Sequence, residues 1–182
     1  MGLAVFGLGD QMRVALIAKP GHAESGVGRY ALELERALRS LGYDVLLVNP
    51  VIPFPGCFMH FVRRWPGWDL EAFFNNYPLW ARYPKADIYH LTSQNLATLM
   101  VFRRPPGKVV VTVHDLIPSV TKDDRELRIY QHKLDELFDR ISLWGIQKTE
   151  AIITVSDHSA IVLKEHLAPL ARIIQTIPLG TQ

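Results

Sequence analysis

The chain has little of several things that would assign a protein to a special class. It carries one cysteine, Cys57, in 182 residues, so an internal disulfide is excluded and a reducing compartment is indicated. Its cysteine and histidines show no metal-ligand spacing, and we therefore expect no bound metal. No G-x-S-x-G elbow is present, so the sequence does not support a serine-hydrolase triad.

Long apolar runs and a strong charge of either sign are also missing. No run reaches the roughly 18 apolar residues that a membrane-spanning helix needs. Residues 1–10 are apolar but lack the basic start of a secretory signal. We interpret residues 1–11 as a loose extension or as the result of an upstream start, assign them no function, and expect a cytoplasmic protein. The formal net charge of only +2 gives no electrostatic argument for a nucleic-acid partner.

What the chain does contain is the patterning of one globular domain, with 48% hydrophobic and 21% charged residues. Short apolar segments, typical of parallel strands buried on both faces, alternate with amphipathic ones. We predict strands at residues 14–18, 43–48, 87–91, 109–113, 151–155 and 173–177. The alternation predicts the α/β class over residues 12–182: a Rossmann-like, doubly wound parallel sheet with helices on both faces.

Helices are predicted between these strands. The first starts near Gly26, and Gly42 stands where a glycine commonly ends a helix. A second covers residues 94–102. A third lies between the fourth and fifth strands, and its apolar face is predicted to pack in the core, with a partner-binding surface as the alternative. That face consists of Leu127, Tyr130, Leu134, Leu137, Phe138, Ile141 and Trp144.

Residues 51–85, here called the aromatic segment, interrupt this regularity with many prolines and aromatic residues. A long connection without a clean period in a compact domain is often functional. One interpretation is a loop and short helix whose aromatics are buried against the sheet edge. The other is a lid or a peripheral contact with the inner membrane face, because aromatics beside Arg63 and Arg64 suit a bilayer carrying anionic lipid.

Glycines stand at the start of the first predicted helix. Gly26 and Gly28 let the backbone approach a ligand, and the free N–H groups of a helix start favour anions, with Arg29 as a further candidate. Residues 26–31 also fit the G-x-G-x-x-A form of the dinucleotide fingerprint. However, the loop before them is long and no acid for a ribose follows the second strand at Val48-Asn49, so an NAD-dependent reductase is disfavoured. A phosphate or sugar contact is favoured over a simple loop-to-helix turn.

Other candidates follow the strands, because ligands of open α/β sheets bind beyond the carboxyl ends of the strands. His114 follows the fourth strand and is the candidate catalytic residue; Asp115 beside it is a candidate both for catalysis and for orienting the local backbone. Thr92 and Ser93 follow the third strand, and Ser156 follows the fifth. For these hydroxyls, helix capping is favoured over substrate contact.

Four segments, in this order, resemble the N-terminal domain of the family-4 retaining glycosyltransferases. They are residues 24–30 (ESGVGRY), 112–118 (TVHDLIP), 153–156 (ITVS, with Ser159 following) and 177–180 (IPLG). The resemblance implies that residues 12–182 are the N-terminal, acceptor-side half of a GT-B fold. It also implies that the donor-binding C-terminal domain is absent from this chain.

The resemblance implies retaining transfer of a sugar from a nucleotide-sugar donor to a glycan or lipid-linked acceptor, without a cofactor. Gly26 and Gly28 then lie against the donor phosphates, and His114 lies near the transferred sugar. Turnover is expected only with a second, donor-binding domain or subunit. The candidates on the acceptor side are Thr92, Ser93, Arg63 and Arg64.

A second hypothesis from a different class uses the same fold without catalysis. In it, the aromatic segment and the basic pairs Arg63-Arg64 and Arg103-Arg104 dock the chain on a membrane or a partner protein. Vesicle binding without any effect of nucleotide sugars would favour this hypothesis over the transferase.

Overall fold

The computed structural model describes most of the chain, in several stretches. The described residues are 11–20, 25–52, 54–55, 69–121, 124, 126, 132–167 and 173–178. Outside them lie residues 1–10 of the predicted extension, Cys57, the Arg63-Arg64 pair, and Leu127 and Tyr130 of the predicted helical face.

Six strands form one sheet in the order β2-β1-β3-β4-β5-β6, and every neighbouring pair is parallel. Each strand lies within its predicted range or starts one residue before it. The bounds are β1 (Arg13–Ile17), β2 (Asp44–Val48), β3 (Ile88–Leu91), β4 (Lys108–Val113), β5 (Ala151–Thr154) and β6 (Ile173–Thr176).

Helices connect the strands and lie on both faces of the sheet. The helix predicted over residues 94–102 is split into a 3-10 helix (Gln94–Thr98) and α3 (Leu99–Phe102). Gly42 has φ +86°, in the left-handed region, and follows the first helix as predicted. The remaining helices are α1 (Gly26–Ser40), α2 (Leu70–Asn76), α4 (Ile117–Val120), α5 (Lys133–Ile146) and α6 (Asp157–His166).

The two faces of the sheet carry separate apolar layers, because alternate residues of a strand point to opposite faces. Leu16 of β1 packs on one face with Leu34 and Leu38 of α1. Its neighbour Ile17 belongs to a larger cluster on the other face, which includes Ile146 of α5. The predicted doubly wound α/β fold is therefore confirmed.

The predicted packing face of α5 is wrong in part. Leu137 and Trp144, which we expected in the core, are exposed to 50% and 52%. A Cβ added to Gly145 would lie 1.9 Å from the carbonyl oxygen of Ala97, so the small residues of α5 face the 3-10 helix, whereas Leu137 and Trp144 turn outward. The buried positions of α5 are Asp139, Ser142, Gly145 and Ile146.

The described part of the aromatic segment packs on the domain. Phe73 of α2 lies 4.9 Å from Phe138 of α5 and 5.4 Å from the buried Tyr77, measured between ring centroids. Thr98 Oγ1 donates a hydrogen bond of 2.6 Å to the Pro78 carbonyl. Burial is thus the observed arrangement for these aromatics, whereas residues 56–68 lie outside the described residues and their membrane contact stays a prediction. None of the described helices is long and apolar enough to cross a bilayer.

Candidate functional site

His114 lies at the carboxyl end of β4, where its ring is held on two sides. Its Nε2 is 2.9 Å from the Thr92 carbonyl oxygen, which only accepts hydrogen bonds, so Nε2 carries the proton and Nδ1 keeps its lone pair. The ring of Tyr30, from α1, meets the His114 ring edge-on at 5.0 Å between centroids. The backbone N–H of His114 donates to Gln94 Oε1 at 3.2 Å. The imidazole therefore has a defined orientation.

The imidazole of His114 is held in its neutral form. Burial is the main cause that lowers its pKa, and the positive charge of Lys19 acts in the same sense. The hydrogen bond to Thr92 and the carboxylate of Asp115 act in the opposite sense. At neutral pH, Nδ1 of His114 is therefore an acceptor or a base rather than a cationic donor.

The start of α1 lies beside this histidine, because Tyr30 belongs to the second turn of the helix. Ser25 caps the helix, and its side chain accepts a hydrogen bond of 3.0 Å from the Gly28 N–H. The Gly28 N–H is thus occupied, whereas the first-turn N–H groups of Gly26 and Val27 bond to none of the described residues and can serve a ligand. Among the described residues, a Cβ at Gly26 would meet nothing within 4 Å, so the space beside it is open on that side. Arg29, the third candidate here, has an exposed side chain.

A chain of buried polar side chains supports the Tyr30–His114 contact, and the sequence did not predict it. Tyr30 Oη lies 2.9 Å from Thr112 Oγ1, which lies 2.8 Å from His90 Nε2. Burial, with His114 nearby, lowers the pKa of His90 to about 4. The available signal was the occurrence of His90 and Thr112 inside otherwise apolar strands.

Of the hydroxyls after the strands, one set behaves as predicted and the other does not. Ser156 Oγ accepts a hydrogen bond of 3.1 Å from the Ser159 N–H, so its capping role at α6 is confirmed. Thr92 Oγ1 donates instead to the Ile17 carbonyl at 3.0 Å. Ser93 precedes the 3-10 helix without a side-chain capping bond, and among the described residues its buried Oγ has no hydrogen-bond partner. The capping prediction is therefore wrong for Thr92 and Ser93.

Asp115 has a local structural role in the structure. Its Oδ1 accepts a hydrogen bond of 3.2 Å from the Ile117 N–H, and its carbonyl oxygen accepts one of 3.1 Å from Gln94 Nε2. Orientation of the backbone is thus observed for Asp115, and its contact with a substrate stays a prediction. Arg63 and Arg64 lie outside the described residues, so their place relative to His114 also stays a prediction.

Lys19 is a further polar group at this edge of the sheet, and sequence reasoning did not single it out. It follows β1 by two residues, and its Nζ donates a hydrogen bond to Asn76 Oδ1 at the end of α2. Burial lowers the pKa of Lys19 to about 8. A lysine directly after a buried strand was the signal that was present but not used. Within the part of the chain that the structure describes, no three His, Cys, Asp or Glu side chains are placed to hold a metal.

The whole arrangement lies within a region that matches a known family. The family model described as Glycosyltransferase Family 4 matches residues 25–181, which include every helix and strand from α1 to β6. A search of curated proteins returned no match.

Proposed function

Because the chain belongs to glycosyltransferase family 4, we propose that it takes part in transferring a sugar from a nucleotide-sugar donor to a glycan or lipid-linked acceptor, with retention of configuration. A glycosyltransferase-type role follows from the family itself. The donor, the acceptor and the stereochemical course are the proposed parts. No cofactor is needed in this proposal, because the nucleotide sugar brings its own leaving group.

The observation that carries the proposal is the contact between His114 and the start of α1. Departure of a nucleoside diphosphate leaves negative charge on the phosphates and a cation-like sugar centre, and both need preorganised partners. The first-turn N–H groups at Gly26, with Arg29 nearby, suit the phosphates. The neutral His114, 5.0 Å from Tyr30 of the same helix, suits a hydroxyl or the ring of the transferred sugar. Asp115 would orient the loop that holds His114.

The acceptor side of the proposal uses Thr92 and Ser93, with Arg63 and Arg64 as candidates from the aromatic segment. In this proposal, most donor contacts belong to a second domain. We therefore expect the chain alone to bind a nucleotide sugar without turning it over, and sugar transfer to require a donor-binding domain or subunit.

A peripheral contact with the inner membrane face is part of the same proposal, because lipid-linked acceptors lie at a bilayer. Two apolar side chains support it: Ile117 and Val120 of α4 are exposed to 55% and 50%, directly after His114 and Asp115. Exposed apolar residues beside a site suit an interface in which one side is lipid.

The proposed function can be tested by saturation-transfer NMR with a panel of nucleotide sugars on the full chain. We expect at least one of them to bind through its sugar protons. His114→Ala should weaken that binding by up to about tenfold, the effect of losing one hydrogen bond to a ligand. His158→Ala, at an exposed position of α6, is the matched control and should bind as wild type does. Absence of binding for every nucleotide sugar, or identical binding by the His114→Ala chain, would contradict the proposal.

A further inference from the structure

Lys19 is a half-buried cation, and no acidic side chain in the described part of the chain neutralises it. Its Nζ donates to Asn76 Oδ1, and Asn95 Nδ2 donates to the same oxygen at 2.8 Å. The Asn76 amide, itself held by Asn95, orients the ammonium group, but neither amide carries the negative charge that would balance it. Among the described residues, Lys19 takes part in no ion pair. An unbalanced, partly buried cation is unfavourable for folding, which indicates that it is kept for another reason.

Ser93 is a second unsatisfied group on the same side of the sheet. Ile17 of β1 lies opposite Leu91 of β3 at the end of the parallel register. Lys19 and Ser93 each follow these paired residues by two positions, and continuing the strand alternation puts both on the same face. Residues opposite each other in a parallel pair point to the same face. Ser93 is only 2% exposed, and among the described residues its Oγ has no hydrogen-bond partner. An ammonium group and a free hydroxyl are therefore directed into one region.

This region lies across the sheet from the proposed donor contacts. Ile17 and Leu91 belong to the apolar cluster on the face covered by α5, whereas α1 covers the other face. Lys19 is nevertheless close enough to His114 for its charge to influence that imidazole. A group bound at Lys19 would thus be near the point of transfer, on the side away from the donor phosphates.

We propose that Lys19 and Ser93 bind an anionic group of the acceptor, a carboxylate or a phosphate, and that the glycosyltransferase uses an acidic acceptor. This inference rests on the proposed function, since it deepens the acceptor side of the same site. The ammonium group supplies the charge, the Ser93 hydroxyl donates a hydrogen bond, and Asn76 holds the ammonium in place.

The test is anion binding by the full chain. Thermal unfolding is followed while sodium phosphate or sodium acetate replaces sodium chloride at constant ionic strength and neutral pH. We expect at least one of these anions to raise the Tm of the wild type, and the two arms distinguish phosphate from carboxylate recognition. Lys19→Met should weaken the apparent affinity for that anion roughly tenfold to hundredfold, the effect of losing a charge-assisted hydrogen bond. Ser93→Ala should weaken it less.

Matched variants separate this site from general charge effects. Lys108→Met removes an exposed lysine at the amino end of β4, whereas the proposed site lies at the carboxyl ends of the strands. This variant should leave the anion response unchanged. Asn76→Asp places a carboxylate next to Lys19, so it should abolish the anion response while the chain still unfolds cooperatively. This variant tests whether the anion binds at Lys19 even if Lys19→Met fails to fold. A wild type without any response, or a response that persists in Lys19→Met or Asn76→Asp, would overturn the proposal.

Nucleotide binding by the same variants distinguishes an acceptor site at Lys19 from a donor site. Binding of uridine diphosphate, a product of many nucleotide-sugar donors, is measured on the same variants. We expect Lys19→Met to leave it within about twofold of wild type, because the lost interaction belongs to another ligand. A loss as large as that for phosphate or acetate would assign Lys19 to the donor and overturn the acceptor assignment. If no nucleotide or nucleotide sugar binds while the Lys19-dependent anion response remains, the proposed function fails and the anion site stands.

Discussion

His90 is buried inside a parallel sheet, where a charged imidazole would have no water around it. Its Nε2 lies 2.8 Å from Thr112 Oγ1, and burial, with His114 nearby, lowers its pKa from 6.5 to about 4. Unfolding returns His90 to water and to its ordinary pKa, so between these two values the unfolded chain binds more protons than the folded chain. The contribution of neutral His90 to stability is therefore complete above pH 6.5 and is lost as the pH falls towards 4.

Replacing His90 should change how stability depends on pH. Each pKa unit of difference between folded and unfolded states corresponds to about 1.4 kcal/mol. We expect wild type to lose up to a few kcal/mol more than His90→Gln between about pH 6.5 and 4, as measured by urea unfolding across a pH series. His158→Gln, which alters an exposed histidine, should keep the wild-type slope. Parallel curves for wild type and His90→Gln would show that the imidazole titrates normally.

Replacing Gly145 or Gly26 by alanine should affect the unfolding free energy differently. The new methyl group in Gly145→Ala would lie 1.9 Å from the backbone oxygen of Ala97. Because a backbone atom cannot rotate away as the end of a flexible side chain can, we expect a loss of about 3 kcal/mol in unfolding free energy. The methyl group of Gly26→Ala would meet nothing within 4 Å in the described part of the chain, so this variant should be neutral or stabilising by up to about 1 kcal/mol. If donor phosphates approach Gly26, that stable variant should still bind nucleotide sugars less well. Equal stability of the two variants, measured by urea unfolding, would show that α5 does not approach Ala97 closely.

Hydroxyls that follow strands show how far single residues can be predicted. Ser156 caps an α-helix, as its position suggested. Ser93 occupies the equivalent place, but the N–H of Leu96 bonds to the Ser93 backbone oxygen at 3.2 Å in the tighter 3-10 turn. The Ser93 hydroxyl then has no hydrogen-bond partner among the described residues. The contact of Lys19 with Asn76 joins residues far apart in the chain, so no local pattern predicts it.

At the scale of helices, α5 offers a test of which face is buried. Ile146 is fully buried, and Ile146→Ala should lower the unfolding free energy by about 2 to 5 kcal/mol. Leu137→Ala removes a similar side chain from an exposed position and should change it by less than about 0.5 kcal/mol. Chemical denaturation of the two variants measures both values. A larger loss from Leu137→Ala would restore the packing face expected from the sequence.

The same helix explains why the elements were not all predictable to the same degree. The strands are short runs dominated by apolar residues, so β1 to β6 were placed to within a residue at their starts. The period of α5 indicated a helix correctly, but apolar periodicity gives no weight to small residues. Gly145 allows a backbone approach, and this approach decides the buried face.

At the scale of the whole molecule, the sheet divides the candidate site. Position after a strand placed His114 and Ser93 at one edge of the sheet, as the sequence predicted. The face of the sheet on which each side chain lies depends on the alternation along its strand. His114 therefore contacts Tyr30 of α1, whereas Lys19 donates a hydrogen bond to Asn76 of α2. A donor on one side and an acidic acceptor on the other would meet at His114. This division is the structural basis of both proposals.

The membrane proposal also concerns the whole molecule, and flotation with vesicles tests it. We expect the chain to float with vesicles containing anionic lipid at low salt, and less so at high salt, because salt screens the contribution of Arg63 and Arg64. Reversing both arginines to glutamate should weaken the association, as should Ile117→Asp, which removes exposed apolar area worth about 25 cal/mol per Å² in lipid. Ile161→Asp, at an equally exposed position on α6, is the control and should float as wild type does. Failure of the wild-type chain to associate at low salt would leave the acceptor without a bilayer, and a soluble glycan would then be the acceptor to test.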